Sequence, residues 1–192
     1  MLVKCLNNDI RKVNPNTEFG REITKWFGYN SYIMPLTVGK IYVVYALAIT
    51  KRWTCYFVAN DDYTSYPMGY FASFFKIVDK RVSQCWIVGQ GEIEAESTNM
   101  ILSFDEWMSE DKFQERLLDG YDREKQIFQD RKEFMDLEFP NPSIVDAAEA
   151  FKDDWLYCPK CLEGWQSKAI GGLVRCPKGN ELLNNPRYVK DS

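Results

Sequence analysis

Histidine is absent from all 192 residues. No imidazole base is at hand to activate a serine or cysteine nucleophile, and no imidazole can complete a metal site. A hydrolase would have to work with lysine, carboxylates or metal-bound water, so the chain reads as a non-enzyme. Long apolar runs are missing too. The longest, Ile41–Ile49, holds nine residues, against the roughly 20 that span a bilayer. Residues Met1 to Asp9 lack the apolar centre of a secretory signal. The expectation is a protein of the reducing cytoplasm with no membrane partner, where paired cysteines more often hold metal than form disulfides.

What is present describes an ordered protein. Hydrophobic residues make up 45% and aromatics 15% of the chain, enough for one good core and a small appendage. The net charge of −4 conceals segregation. Residues 1–80 carry 10 Lys/Arg against 6 Asp/Glu, residues 81–157 carry 8 against 19, and residues 158–192 carry 6 against 3. A net −11 in the middle suits a basic partner and repels nucleic acid, although solvated helices are often acidic without one.

Strand signals begin at Leu36. Ile41–Ile49 is apolar on both alternating faces, as a strand covered on both sides requires. Trp53–Ala59, Phe74–Val78 and Gln84–Val88 follow, the last broken at Gly89-Gln-Gly91 and resuming as Glu92–Glu96. Their spacing predicts a small, curved antiparallel sheet over about residues 36–97, either SH3-like or a flatter sheet packed on helices. From Ser103 the period changes. Ser103-Phe-Asp-Glu106 reads as a capping box, Gly120 as a helix stop, and Tyr121–Leu137 as a longer helix with Ile127, Phe128, Phe134 and Met135 on its apolar side. Another helix is expected from Ser143 to about Asp154, so helices fill about residues 103–154. The fold class is α+β, with a domain over 1–154 and a module over 155–192.

The chemically specific signal lies in that module. Cys158-Pro-Lys-Cys161 is followed, fourteen residues later, by Cys176-Pro-Lys-Gly179. A C-x2-C turn sets two thiolates toward one ion, and a second such turn on a facing hairpin completes a tetrahedron. Cys158, Cys161 and Cys176 resemble the ligands of a rubredoxin-like zinc ribbon over 155–187, with Gly171-Gly172 free for the intervening turn. Glycine stands at 179, where the fourth cysteine belongs. Three readings stay open. Zinc is held by three thiolates and a fourth ligand drawn from Cys5, Cys55, Cys85, an acid or water. Alternatively, the module is metal-free, with Trp155, Tyr157, Leu162, Trp165, Leu173 and Val174 as its core. In the third, Cys158 and Cys161 form a redox pair.

Candidate partner-binding residues lie upstream. Glu92, Glu94 and Glu96 alternate, so a single strand would present all three on one face; the plain alternative is the solvent side of an edge strand. Tyr63 and Tyr66 sit among turn formers, where exposed tyrosine can anchor a partner. Asp61-Asp62 and Asp153-Asp154 read as loop and helix-end charges.

Leu36-Thr-Val-Gly-Lys-Ile-Tyr-Val-Val-Tyr45, the segment from Phe75-Lys-Ile-Val-Asp79 to Ser83-Gln-Cys-Trp86, and Leu117-Leu-Asp-Gly120 together resemble bacterial toxin-immunity proteins, over roughly residues 36–137. The resemblance implies neutralisation of a basic toxin domain by tight occlusion through acidic and aromatic residues. The alternative is a zinc-ribbon adaptor or nucleic-acid-associated protein, although six basic residues beside a −11 segment make a poor footprint for nucleic acid.

Overall fold

The protein is described from a computed structural model covering residues 1–14, 16–27, 33–62, 65–93, 96–139, 146–169 and 171–188. It is a mixed α+β fold with antiparallel sheets, divided into two compact units, Met1–Phe128 and Gln129–Ser192. The boundary expected at 154/155 falls inside the second unit. Among the described residues no helix is long and apolar enough to cross a membrane.

The first unit starts with β1 (Leu2–Cys5), a strand the sequence reading passed over, and α1 (Glu18–Phe27). The run Ile41–Ile49 is not one strand. It divides into β2 (Ile41–Val43) and β3 (Ala46–Ile49), which belong to different sheets. At the junction the backbone changes partner: Val44 N–H donates to Met1 and Tyr45 N–H to Phe57. β4 (Thr54–Val58), β5 (Met68–Phe71), β6 (Phe75–Asp79), β7 (Ile87–Ile93) and β8 (Glu96–Ser103) complete the strands of this unit. One sheet runs β2-β1-β6 and the other β5-β4-β3-β8-β7, so the expected single sheet is in fact two.

At β4 the five-stranded sheet is apolar on both faces because both are covered there. Tyr56 and Val58 of β4 join Val3, Ile23, Tyr42 and Phe74 in one buried cluster. Between them Phe57 points the other way and meets Trp107 edge-on, ring centres 5.4 Å apart. That second face is covered by α2 (Asp105–Ser109), α3 (Phe113–Leu118) and the first half of α4 (Asp122–Glu138), through Trp107, Phe104, Phe113 and Phe128.

The capping box does not form. Ser103 is the last residue of β8, Phe104 is the residue that caps α2, and the buried Ser103 Oγ has no hydrogen-bond partner among the described residues. Phe104 takes the cap position because its ring, wholly buried, is needed beneath the helices. Gly120, at φ 84°, ends α3 as expected.

Asp61 organises the loop below the sheets. It accepts from Thr37 Oγ1 at 2.8 Å and Tyr42 Oη at 2.9 Å, and pairs with Lys40. Partial burial works against its charge, but the Lys40, Thr37 and Tyr42 bonds prevail and hold its carboxyl below the ordinary value. A carboxyl depressed in the folded state stabilises above its unfolded pKa of about 3.9, and that contribution is lost as pH falls through the folded value. Between pH 5 and pH 2 the wild-type melting temperature should therefore fall more steeply than that of Asp61→Asn; parallel curves would show that the network adds no pH-dependent stability.

In the second unit, residues 143–145 of the helix expected over 143–154 lie outside the described residues, and 146–154 are not helical. Ala147 bridges to Asn184, β9 (Glu149–Ala150) pairs with β10 (Trp155–Tyr157), and Asp153 turns the chain at φ 54°. Pairing with strands wins because it buries Ala148 beside Leu156 and Leu183. β11 (Gly164–Gln166), β12 (Leu173–Arg175) and β13 (Leu182–Asn184) make up the rest. Gly171 does more than turn the chain. A Cβ there would run into the Leu137 carbonyl oxygen at the end of α4. Gly171→Ala should cost about 1–3 kcal/mol, the usual range for overpacking, read from denaturant unfolding. A loss below about 0.5 kcal/mol would mean that the helix end shifts freely.

Candidate metal centre

Two turns with the same hydrogen bonding build the centre. In the first, at the end of β10, Cys158 O accepts from Leu162 N–H at 3.0 Å, Cys158 N–H donates to Glu163 O at 2.9 Å, and Leu162 is left-handed at φ 59°. In the second, at the end of β12, Cys176 O accepts from Asn180 N–H at 2.9 Å, Cys176 N–H donates to Glu181 O at 2.9 Å, and Asn180 is left-handed at φ 54°. Cys158 thus corresponds to Cys176, Leu162 to Asn180, and Cys161 to Gly179. The Cys-Pro-Lys-x pattern encodes this local geometry whether or not its last position carries a thiol.

The three sulfurs lie within 4.8 Å of one another, and Cys161 Sγ is 3.4 Å from Cys176 Sγ. A tetrahedral ion with Zn–S bonds of about 2.3 Å needs sulfurs about 3.8 Å apart, a spacing these values bracket. The residues therefore fit a metal ion, and all three cysteines are free of disulfides. Cys158 and Cys176 are wholly buried, in one cluster with Ala148, Leu156, Val174 and Leu183. Gly179 N–H points at Cys176 Sγ from 3.4 Å; with burial opposing, that bond and the nearby thiols and Lys178 N–H hold the Cys176 thiol below its usual range. At Cys161 the Glu163 N–H lowers the value, but the neighbouring sulfurs and burial outweigh it and push the thiol up.

The surrounding basic residues are engaged. Lys160 pairs with Asp146 at 3.0 Å and Glu181 at 3.4 Å, Arg175 with Glu133 at 3.0 Å, and Lys178 with Glu163 at 3.8 Å. Arg187 donates to the carbonyls of Phe151 and Trp155 at 2.9 and 2.7 Å.

Of the six residues expected as the core of a metal-free module, Leu173 and Val174 are buried and Trp165 packs against the cysteine cluster, but the other three are not core. Trp155 and Tyr157 are 46% and 39% exposed and Leu162 is 65% exposed, while Leu156 between the two rings is buried. Alternation along a three-residue strand dictates this, since only one face of β10 meets the thiols. Phe151, Trp155, Tyr157 and Gly164 line a surface cavity of about 480 Å³. Sequence reading missed it, and the Trp-Leu-Tyr alternation was the available signal.

The other candidates separate. Glu92 lies on β7 opposite Ser97, and Glu96 on β8 opposite Ile93, so they do not share one strand face: the chain has reversed between them. Glu94 and Tyr63 lie outside the described residues. Tyr66 is half-buried in its loop. No family model matches the chain, and no curated protein or solved structure matches it either.

Proposed function

We propose that this is a non-enzymatic cytoplasmic binding protein, with a zinc ion held by Cys158, Cys161 and Cys176 as the clip of its second unit. Its specific form is an immunity protein that neutralises a bacterial toxin by occluding a basic surface. The observation that carries this reading is the acidic charge exposed on and between α2, α3 and the start of α4. Arg116 and Arg123 are turned to Glu110 and Glu124, in bonds of 2.6–3.3 Å. Asp105, Asp111, Asp119 and Asp122 remain exposed around them, as does Glu115, which pairs with Lys112 at 3.5 Å. Such a surface speeds encounter with a cationic partner more than it tightens the final complex.

Co-expression with the toxin encoded beside it should protect cells, and the pair should co-elute on gel filtration. Changing Asp111, Glu115 and Asp119 together to their amides should slow association about tenfold at low salt and far less at high salt. Absence of protection and of a complex ends the toxin reading. The exposed aromatic cavity at Phe151, Trp155 and Tyr157 favours a second reading, an adaptor that docks through the ribbon. The engagement of Lys160, Arg175 and Lys178 with carboxylates supports a protein rather than a nucleic acid as its partner. Salt-sensitive DNA or RNA binding lost on changing Lys168, Arg175 and Lys178 would argue the reverse.

A further inference from the structure

The two cysteine turns share one backbone pattern, and only the second lacks its last thiol. A Cβ built on Gly179 would stand 3.9 Å from both Cys161 Sγ and Cys176 Sγ, in ordinary contact, with a backbone that a side chain tolerates. Position 179 therefore faces the sulfurs and leaves unfilled the place a fourth thiolate would occupy. Gly179 and its neighbours Pro177, Lys178 and Asn180 are exposed, so this side is open to solvent. No carboxylate takes the place: among the described residues no acid brings an oxygen into the cluster of three sulfurs, and Glu181, whose Cγ would stand 3.8 Å from a Cβ at 179, has its carboxylate 3.4 Å from Lys160. Cys5, Cys55 and Cys85 belong to the first unit.

We infer that the Gly179 side is a binding position for an exogenous thiolate, which completes the coordination of a metal held by Cys158, Cys161 and Cys176. This rests on the zinc reading above. Three protein ligands with one open position is the arrangement of sites that exchange a ligand, whereas closed four-ligand sites do not. Soft sulfur donors match a set already made of thiolates. An incoming thiol would lose its S–H proton to solvent and displace a water molecule from the metal, with no change of oxidation state. The absent side chain leaves room for a small thiol or for a cysteine near the surface of a partner.

The test uses the full chain, freed of metal and titrated with cobalt(II), whose visible bands report the number of thiolate ligands. Wild type should bind one equivalent with a three-thiolate spectrum. Added 2-mercaptoethanol or glutathione should convert it to the spectrum that Gly179→Cys shows without any added thiol, and Gly179→Cys should not respond to thiol. Zinc should bind Gly179→Cys tighter than wild type by on the order of a thousandfold, with the gap narrowing as thiol is added. Metal in wild type with no thiol response overturns the inference and leaves the zinc reading standing. No metal in wild type, with or without uptake by Gly179→Cys, overturns the zinc reading and the inference with it.

Discussion

Cys176→Ser should leave the purified protein with well under one equivalent of zinc by elemental analysis, where wild type never exposed to chelator keeps close to one. The wholly buried Cys176 joins the two turns: its sulfur lies 3.4 Å from Cys161 and accepts the Gly179 N–H. Structural zinc sites give about 10–16 kcal/mol of apparent binding energy. Removing one of three thiolates withdraws about 4 kcal/mol of that, or about a thousandfold in affinity. Because the cysteine cluster shares its residues with the core of Leu156, Val174 and Leu183, loss of a bound metal should also raise protease cleavage in 155–188 while sparing the first unit. A Cys176→Ser protein with a full equivalent of zinc and unchanged proteolysis would show that Cys176 is neither a ligand nor a support of the module.

Phe104→Ala should destabilise the first unit by about 3–5 kcal/mol, the range for emptying a buried phenylalanine site. Its ring has no solvent exposure and meets Trp107 and Phe113 edge-on, each with ring centres 5.7 Å apart. It also stands where β8 hands the chain to α2, so the neighbours cannot close the cavity without moving that junction. Phe134→Ala is the control. Phe134 is 47% exposed on α4, and its loss should cost less than about 1 kcal/mol. Denaturant unfolding of the two variants decides the matter. Equal small costs would mean that Phe104 does not anchor the helices.

That contrast shows where sequence reading stops. The apolar side assigned to α4 included Ile127, Phe128, Phe134 and Met135, yet Phe128 and Met135 are wholly buried while Phe134 faces solvent. Periodicity names a stripe, and tertiary packing chooses how wide it is. Glu124 falls within the buried stripe and is satisfied by Arg116 at 2.7 Å, a partnership between α3 and α4 that no local pattern announces. Asp61 likewise read as a loop charge, because its donors Thr37, Lys40 and Tyr42 are some twenty residues away.

Features settled over four to six residues can be read from the chain alone. Gly120 stops α3 because it accepts a positive φ, and Cys-Pro-Lys makes the same turn twice because its backbone hydrogen bonds close locally. Hence the three metal-ligand candidates and the missing fourth were legible without coordinates. Which strands pair, which face of each is covered, and what each special residue faces follow from long-range packing. It divided Ile41–Ile49 between two sheets, separated Glu92 from Glu96 across a hairpin, and turned Trp155 and Tyr157 outward. These outcomes depend on partners distant in the chain, whose burial outweighs local preference. Gly179 belongs to both accounts: sequence shows that a thiol is missing, and the structure shows that position 179 faces the sulfurs of Cys161 and Cys176.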